Sequence, residues 1–381
     1  MDKRNMLGEY GIWAASLAGK GLMALSFRNR KFKSLSAWKG QARSKVLELL
    51  AIPPMKWTPK VRVEKKFQHD GLSIEQLSWQ LPYGPRTEAL FLKPEGIPGR
   101  LPAVLALHDH AANKYFGLEK ITRIPGRQHP LMQKHQRHYY GGHAWANELA
   151  KQGYAVLVHD AFAFGSRRLH YAKMSAALIG NRREPDPGSS PEIRAYNAWA
   201  SDHESVMAKS LFCAGTTWPG VFFQEDKFAL DYLSSRPDVD ASRVGCGGLS
   251  GGGLRTVLLG GLDSRIKAAV PVGFMSTWKD FLLHKSHTHT WMLYIPHLAR
   301  LLDFPEIMGL RAPLPTLVMN DIGDSLFSIE GMKAADRILR AVYRKAGKPD
   351  HYRCSFYPGP HKFDIAMQAE AFEWFDRFLK P

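Results

Sequence analysis

Cysteine is scarce in this chain of 381 residues, occurring only as Cys213, Cys246 and Cys354. Three scattered thiols exclude a disulfide framework or a cysteine-based zinc site, and in strand-like surroundings a free cysteine acts as a small hydrophobe. Long apolar runs are missing too. No stretch of eighteen uncharged apolar residues occurs, so no membrane partner is expected. The apolar segment Met6–Leu17 follows basic residues as a signal peptide would, but Glu9 and Lys20 interrupt it and no small-residue cleavage site follows. The expectation is a cytoplasmic protein. No basic run with interleaved aromatics is present, which speaks against nucleic acid as a partner. Repeats and low-complexity tracts are likewise absent. Acid is under-represented: Asp and Glu number 35 against 52 Lys and Arg, for a formal charge of +17. Such a field steers an anionic polymer, an acidic polysaccharide for example, or simply keeps the surface soluble.

What is present is a large apolar fraction, 45%, enough for one catalytic domain with decorations. Residues 1–60 read as a basic N-terminal helical extension ended by Pro53-Pro54. Residues 61–93 alternate as antiparallel strands do, and from Leu101 the apolar runs become continuous, as in strands buried on both faces of a mostly parallel sheet. Helical stretches are expected at 143–152, near 200–212, at 221–234 and near 329–345. Residues 61–381 therefore read as an α/β catalytic domain. Two stretches break the alternation and are candidate lids. One, near 161–200, carries the proline-rich Arg182–Gly188; the other, near 274–312, carries Trp278, Phe281, Trp291 and Tyr294.

Gly248-Leu249-Ser250-Gly251-Gly252 holds a serine between glycines where a strand meets a helix, the arrangement of a nucleophile elbow. So sharp a reversal strains the turn residue and needs neighbours without Cβ atoms. The hydroxyl is thereby held in the open, and the helix from Gly251 aims free N–H groups at an oxyanion formed there. A base and an acid follow in the order such folds require. The apolar strand Pro315–Asn320 runs into Asp321-Ile322-Gly323-Asp324, a turn with two carboxylates. The strand Tyr352–Tyr357 ends in Pro358-Gly359-Pro360-His361, and His361 is the candidate base.

Rival readings are weaker. Gly245-Cys246-Gly247 begins like a dinucleotide loop but has Ser250 where a third glycine belongs. The histidines at 284, 287 and 289, and at 129, 135, 138 and 143, lack a recognised ligand pattern, so no metal and no cofactor is expected.

With strand, elbow, acid and histidine in place, residues 60–381 resemble the α/β-hydrolase superfamily, and within it the dienelactone-hydrolase-like and acetyl-xylan-esterase-like proteins. The resemblance also rests on Arg236–Asp240 leading to Arg243-Val244-Gly245, on Asn320–Phe327 and on the final helix Met367–Phe375. It implies a mostly parallel central sheet flanked by helices. It also implies a Ser250–His361–Asp324 triad, with Asp324 preferred to Asp321, that cleaves a carboxylic ester through an acyl-enzyme. Leu107-His108-Asp109-His110 stands where relatives carry a His-Gly motif, which implies the backbone N–H of His110, with that of Gly251, as oxyanion donors. Ala111-Ala112 replace the glycines often found there.

The substrate implied is a small-molecule or oligosaccharide ester, acetylated carbohydrate or uronate among them. A serine peptidase, or a binding protein without turnover, shares the same pattern. Serine at the elbow argues against a dehalogenase. Tyr115, Phe116, Trp218, Phe274 and Trp291 are candidate aromatic pocket residues, and Arg167 and Arg168 candidates for meeting a carboxylate or sugar hydroxyls.

Overall fold

Nine strands form a single sheet: β1 (Arg62–His69), β2 (Leu72–Trp79), β3 (Thr87–Pro94), β4 (Leu101–Ala106), β5 (Ala155–His159), β6 (Val239–Leu249), β7 (Ile266–Val272), β8 (Thr316–Asp321) and β9 (Tyr352–Tyr357), in the order β1-β2-β3-β5-β4-β6-β7-β8-β9. The computed structural model describes residues 4–19 and 21–380; Lys20, which breaks the N-terminal apolar stretch, lies outside the described residues, as do the outermost ends of the two expected segments. β1, β2, β3 and β5 pair antiparallel, and every pairing from β5 through β4 to β9 is parallel.

Chemistry explains the split. β4, β5 and β8 are buried along their whole length, as strands covered by helices on both faces must be. β1 instead exposes Glu64, Lys65 and Lys66, charges that discourage further pairing at a sheet edge.

The parallel crossovers carry helices Trp145–Lys151, Trp218–Ser235, Gly251–Leu262 and Ile329–Lys345, and Ile365–Leu379 closes the chain. The helix expected near 200–212 is two, Ser190–Asp202 and Glu204–Cys213, with His203 between them. A further helix, Pro130–Tyr140, stands where sequence reasoning placed none.

The helix Leu35–Leu50 starts on a Ser34 cap and buries Trp38, Ala42, Val46 and Leu50 at a spacing of four. Those residues belong to the same hydrophobic cluster as β4, β6 and the elbow helix, and the Thr216 and Thr217 hydroxyls donate to the carbonyls of Ala51 and Leu50. The helix Leu35–Leu50 is thus packed into the main core.

Candidate active site

Ser250 sits between β6 and the helix Gly251–Leu262 with φ 57° and ψ −118°, a conformation an L-residue adopts only under constraint. The constraint is visible on both sides. Ser250 N–H donates to Val272 O of β7 at 2.9 Å, while Leu254 N–H donates to Ser250 O at 2.9 Å and starts the helix. A Cβ at Gly252 would run into the carbonyl oxygen of Leu107, so the elbow helix approaches the end of β4 only because glycine stands there. The same approach brings the loop after β4 against the elbow: a Cβ at Gly251 would lie 3.1 Å from the backbone nitrogen of His110. The two N–H groups expected to serve as oxyanion donors are therefore neighbours.

Two loops hold the acid and the base. Ile322 N–H donates to Tyr357 O, Gly323 N–H to Gly359 O, and Lys362 N–H to Asp321 Oδ2, so the turn after β8 and the turn after β9 are laced together. This places Asp324 Oδ2 2.6 Å from His361 Nδ1. Asp324 also accepts from Leu326 N–H through its other oxygen. With Nδ1–H donated to the carboxylate, the neutral imidazole presents an unprotonated Nε2. Nε2 is buried and has no hydrogen-bond partner, and His361 and Ser250 line one cavity of ≈ 560 Å³. Tyr139 stands edge-on to the His361 ring, 6.4 Å between centroids, and Gly273 leaves room for its Cε1.

His110 is built into a charged cluster. Its Nδ1 accepts from Ala112 N–H and its Nε2 donates to Glu204 Oε1 at 2.7 Å, which fixes the tautomer. Lys114 Nζ pairs with the same oxygen at 2.5 Å. Burial opposes ionisation of Glu204, but Lys114 and His110 outweigh it and draw the carboxyl down to about 2. Burial likewise depresses His110. It lowers His289 to about 4, so that cavity residue is neutral at physiological pH. Asp321 moves the other way: burial raises it to about 7.

Of the seven pocket candidates, Phe274 and Trp291 line the cavity. Five stand elsewhere, and each has a physical reason. Tyr115 and Phe116 pack with Tyr171, Tyr196 and Trp199 in a separate aromatic cluster. Trp218 is buried in the main core, 5.2 Å from the Lys114 ammonium. Arg167 is buried and pairs with Glu225 at 2.8 Å while donating to the carbonyls of Tyr83 and Pro85. Arg168 lies over the Tyr115 ring at 4.6 Å. Both arginines pin their loop.

The second candidate lid does wall the cavity, through Phe274 and residues 287–293. The first does not reach it; the wall on that side is Ser201, Asp202, Glu204 and Ser205, just beyond its end. Tyr139, Asp202, Glu204 and His289 were not among the expected site residues, and no local signal marks them. The cavity lining holds two carboxylates and no lysine or arginine, so the net positive charge of the chain is not concentrated in its walls. Among the described residues, one group of potential metal ligands lies within 4.8 Å of one another: Asp321, Asp324 and His361. His135, from one of the histidine-rich stretches, bonds Asp109 instead, and His289 packs beside Phe274, Phe281 and Phe327.

A mostly parallel sheet with a strained serine at a strand-to-helix turn, and with carboxylate and imidazole on later loops, defines the α/β-hydrolase fold, and this chain has it. No protein-family model matches the chain. A Bacillus subtilis protein named "Putative hydrolase YtaP" is 26% identical over 344 residues, covering 90% of this chain and all of that protein. Among solved structures, a "putative acetyl xylan esterase" from Bacteroides fragilis is 20% identical with a TM-score of 0.69, over 94% of this chain and 84% of that one. A glucuronoyl esterase from Solibacter usitatus is 15% identical with a TM-score of 0.60, over 95% and 99% of the two chains.

Proposed function

We propose that this chain is a serine hydrolase that cleaves a carboxylic ester, with Ser250 as nucleophile, His361 as general base and Asp324 as its orienting acid. The observation that carries the reading is the 2.6 Å Asp324–His361 pair, whose free Nε2 belongs to the same cavity as the strained Ser250. His361 takes the hydroxyl proton as Ser250 attacks the ester carbonyl. The backbone N–H groups of Gly251 and His110 stabilise the oxyanion, and the acyl-enzyme is then hydrolysed by water activated at the same imidazole. The absent Ser250–His361 hydrogen bond is compatible with this role, since such contacts tighten when substrate binds.

The esterase names of the structurally similar proteins support ester over amide chemistry. The cavity lining narrows the substrate further. Lys114 offsets the charge of Glu204, which leaves Asp202 to disfavour a free carboxylate, while Phe274 and Trp291 offer flat apolar faces and Ser201, Ser205, Thr288 and Thr290 offer hydroxyls. An uncharged ester, such as an acetylated neutral sugar or another small ester, fits those walls better than an ester flanked by uronate carboxylates. The test is turnover of acetylated xylan fragments, uronate methyl esters, simple aryl esters and a peptide anilide by the protein and by Ser250→Ala. Hydrolysis of the uncharged esters, lost in the variant, is expected. Turnover confined to the anilide, or unchanged in the variant, would overturn the reading.

A further inference from the structure

Seven of the fifteen exposed large hydrophobic side chains among the described residues fall between Met6 and Leu22. Tyr10, Ile12, Trp13 and Leu17 are 71%, 82%, 61% and 54% exposed. Tyr10, Trp13 and Leu17 recur three and four residues apart along a single-turn 3-10 segment (Gly8–Tyr10) that continues as the helix Gly11–Leu17. They form one apolar face turned to solvent.

This segment is held in place. The Asn5 side chain accepts from Leu7 N–H and donates to Gly8 O, closing the turn before the helix. Met6 N–H donates to Leu283 O at 2.9 Å, and Leu25 N–H donates to Leu301 O at 2.8 Å. Both acceptors lie within residues 274–312, the stretch whose other part walls the cavity. The segment is therefore anchored to the same stretch of chain that, at other residues, walls the cavity.

The charge of the chain that carries and follows the face selects its occupant. Residues 1–33 contain seven Lys or Arg against two acids, and Arg30, Lys31 and Lys33 are exposed. A second copy docking face to face would bring two cationic rims together, which repel. An anionic lipid surface meets the same rim with opposite charge and receives the apolar side chains at the headgroup boundary, where Trp and Tyr partition well. No helix among the described residues is long and apolar enough to cross a membrane, so such a contact lies in the plane of the interface. We propose that the apolar face of the N-terminal segment Met6–Leu17 docks the protein on anionic lipid surfaces, anchored to the stretch of residues 274–312 that also contributes to the cavity. The expectation that no membrane is involved came from the lack of a span, which says nothing of a surface contact.

The test is co-sedimentation of the full chain with vesicles of phosphatidylcholine alone and of phosphatidylcholine mixed with phosphatidylglycerol, at low and high salt. Binding to the mixed vesicles that salt suppresses is expected. Ile12→Ser combined with Trp13→Ser should weaken it at least about tenfold, and so should Arg30→Glu with Lys31→Glu and Lys33→Glu. Unchanged circular dichroism and thermal melting show that the variants remain folded. Equal binding to both vesicle types, no binding to either, or binding undiminished in the folded variants would overturn the proposal. So would a dimer by light scattering that the Ile12 and Trp13 changes dissolve while vesicle binding is absent.

Discussion

Asp324 Oδ2 accepts the Nδ1 proton of His361 at 2.6 Å, while Asp321, three residues earlier on the same turn, bonds the backbone of Lys362 instead. Two carboxylates in one loop thus have separate tasks, one gripping the imidazole and the other gripping the loop that carries it. Asp324→Asn should lower kcat for an ester by about 10³- to 10⁴-fold, because the amide no longer fixes the tautomer. Asp321→Asn, which keeps an acceptor for Lys362 N–H, should cost less than about tenfold. Steady-state kinetics of the two variants separate the roles; equal losses would contradict the assignment.

Asp321 also makes stability depend on pH. Its buried carboxyl titrates at about 7 rather than 3.8. Between those values the folded state holds a proton that the unfolded chain has lost, so this group lowers stability as pH rises from about 4 to about 7 and adds no further change above that. Asp321→Asn removes the slope. Thermal melts of protein and variant should diverge across that range in the variant's favour, by up to about 4 kcal/mol at pH 8. Parallel curves would show that Asp321 ionises normally.

Arg167 offers a test of structure against substrate contact. Its guanidinium and the Glu225 carboxylate are both buried, and removing one leaves the other uncompensated. Arg167→Ala should destabilise the fold by about 3–5 kcal/mol in denaturant unfolding and leave KM for a small ester nearly unchanged below the transition. A raised KM at full stability would return Arg167 to the binding site.

Trp291 is 38% exposed and lines the cavity, and we propose that its flat ring meets the substrate. Trp291→Ala should raise KM by about three- to tenfold with kcat little altered, since the contact is made equally in ground and transition states. Loss of kcat alone would point to a different role.

Much of the candidate site was legible in the chain because it is encoded locally. The glycines around Ser250 announce a turn with no room for a Cβ, and Asp324 and His361 each follow a strand at the end that faces the elbow. The cavity walls were legible only in part, at Phe274, Trp291 and the stretch that carries them, since Tyr139 and Glu204 come from separate segments and meet the rest only once the sheet is assembled. The Glu225 partner of Arg167 was not legible either, because an arginine near a glycine turn reads the same whether its partner is a substrate or a buried glutamate.

The central claim is that the Ser250 hydroxyl is made nucleophilic by His361. Reaction of the folded protein with a fluorophosphonate, followed by peptide mapping, tests it most directly. A single adduct on Ser250, absent in Ser250→Ala and strongly slowed in His361→Ala, is the predicted result. A folded protein that stays unlabelled, or that is labelled at another residue, would contradict it.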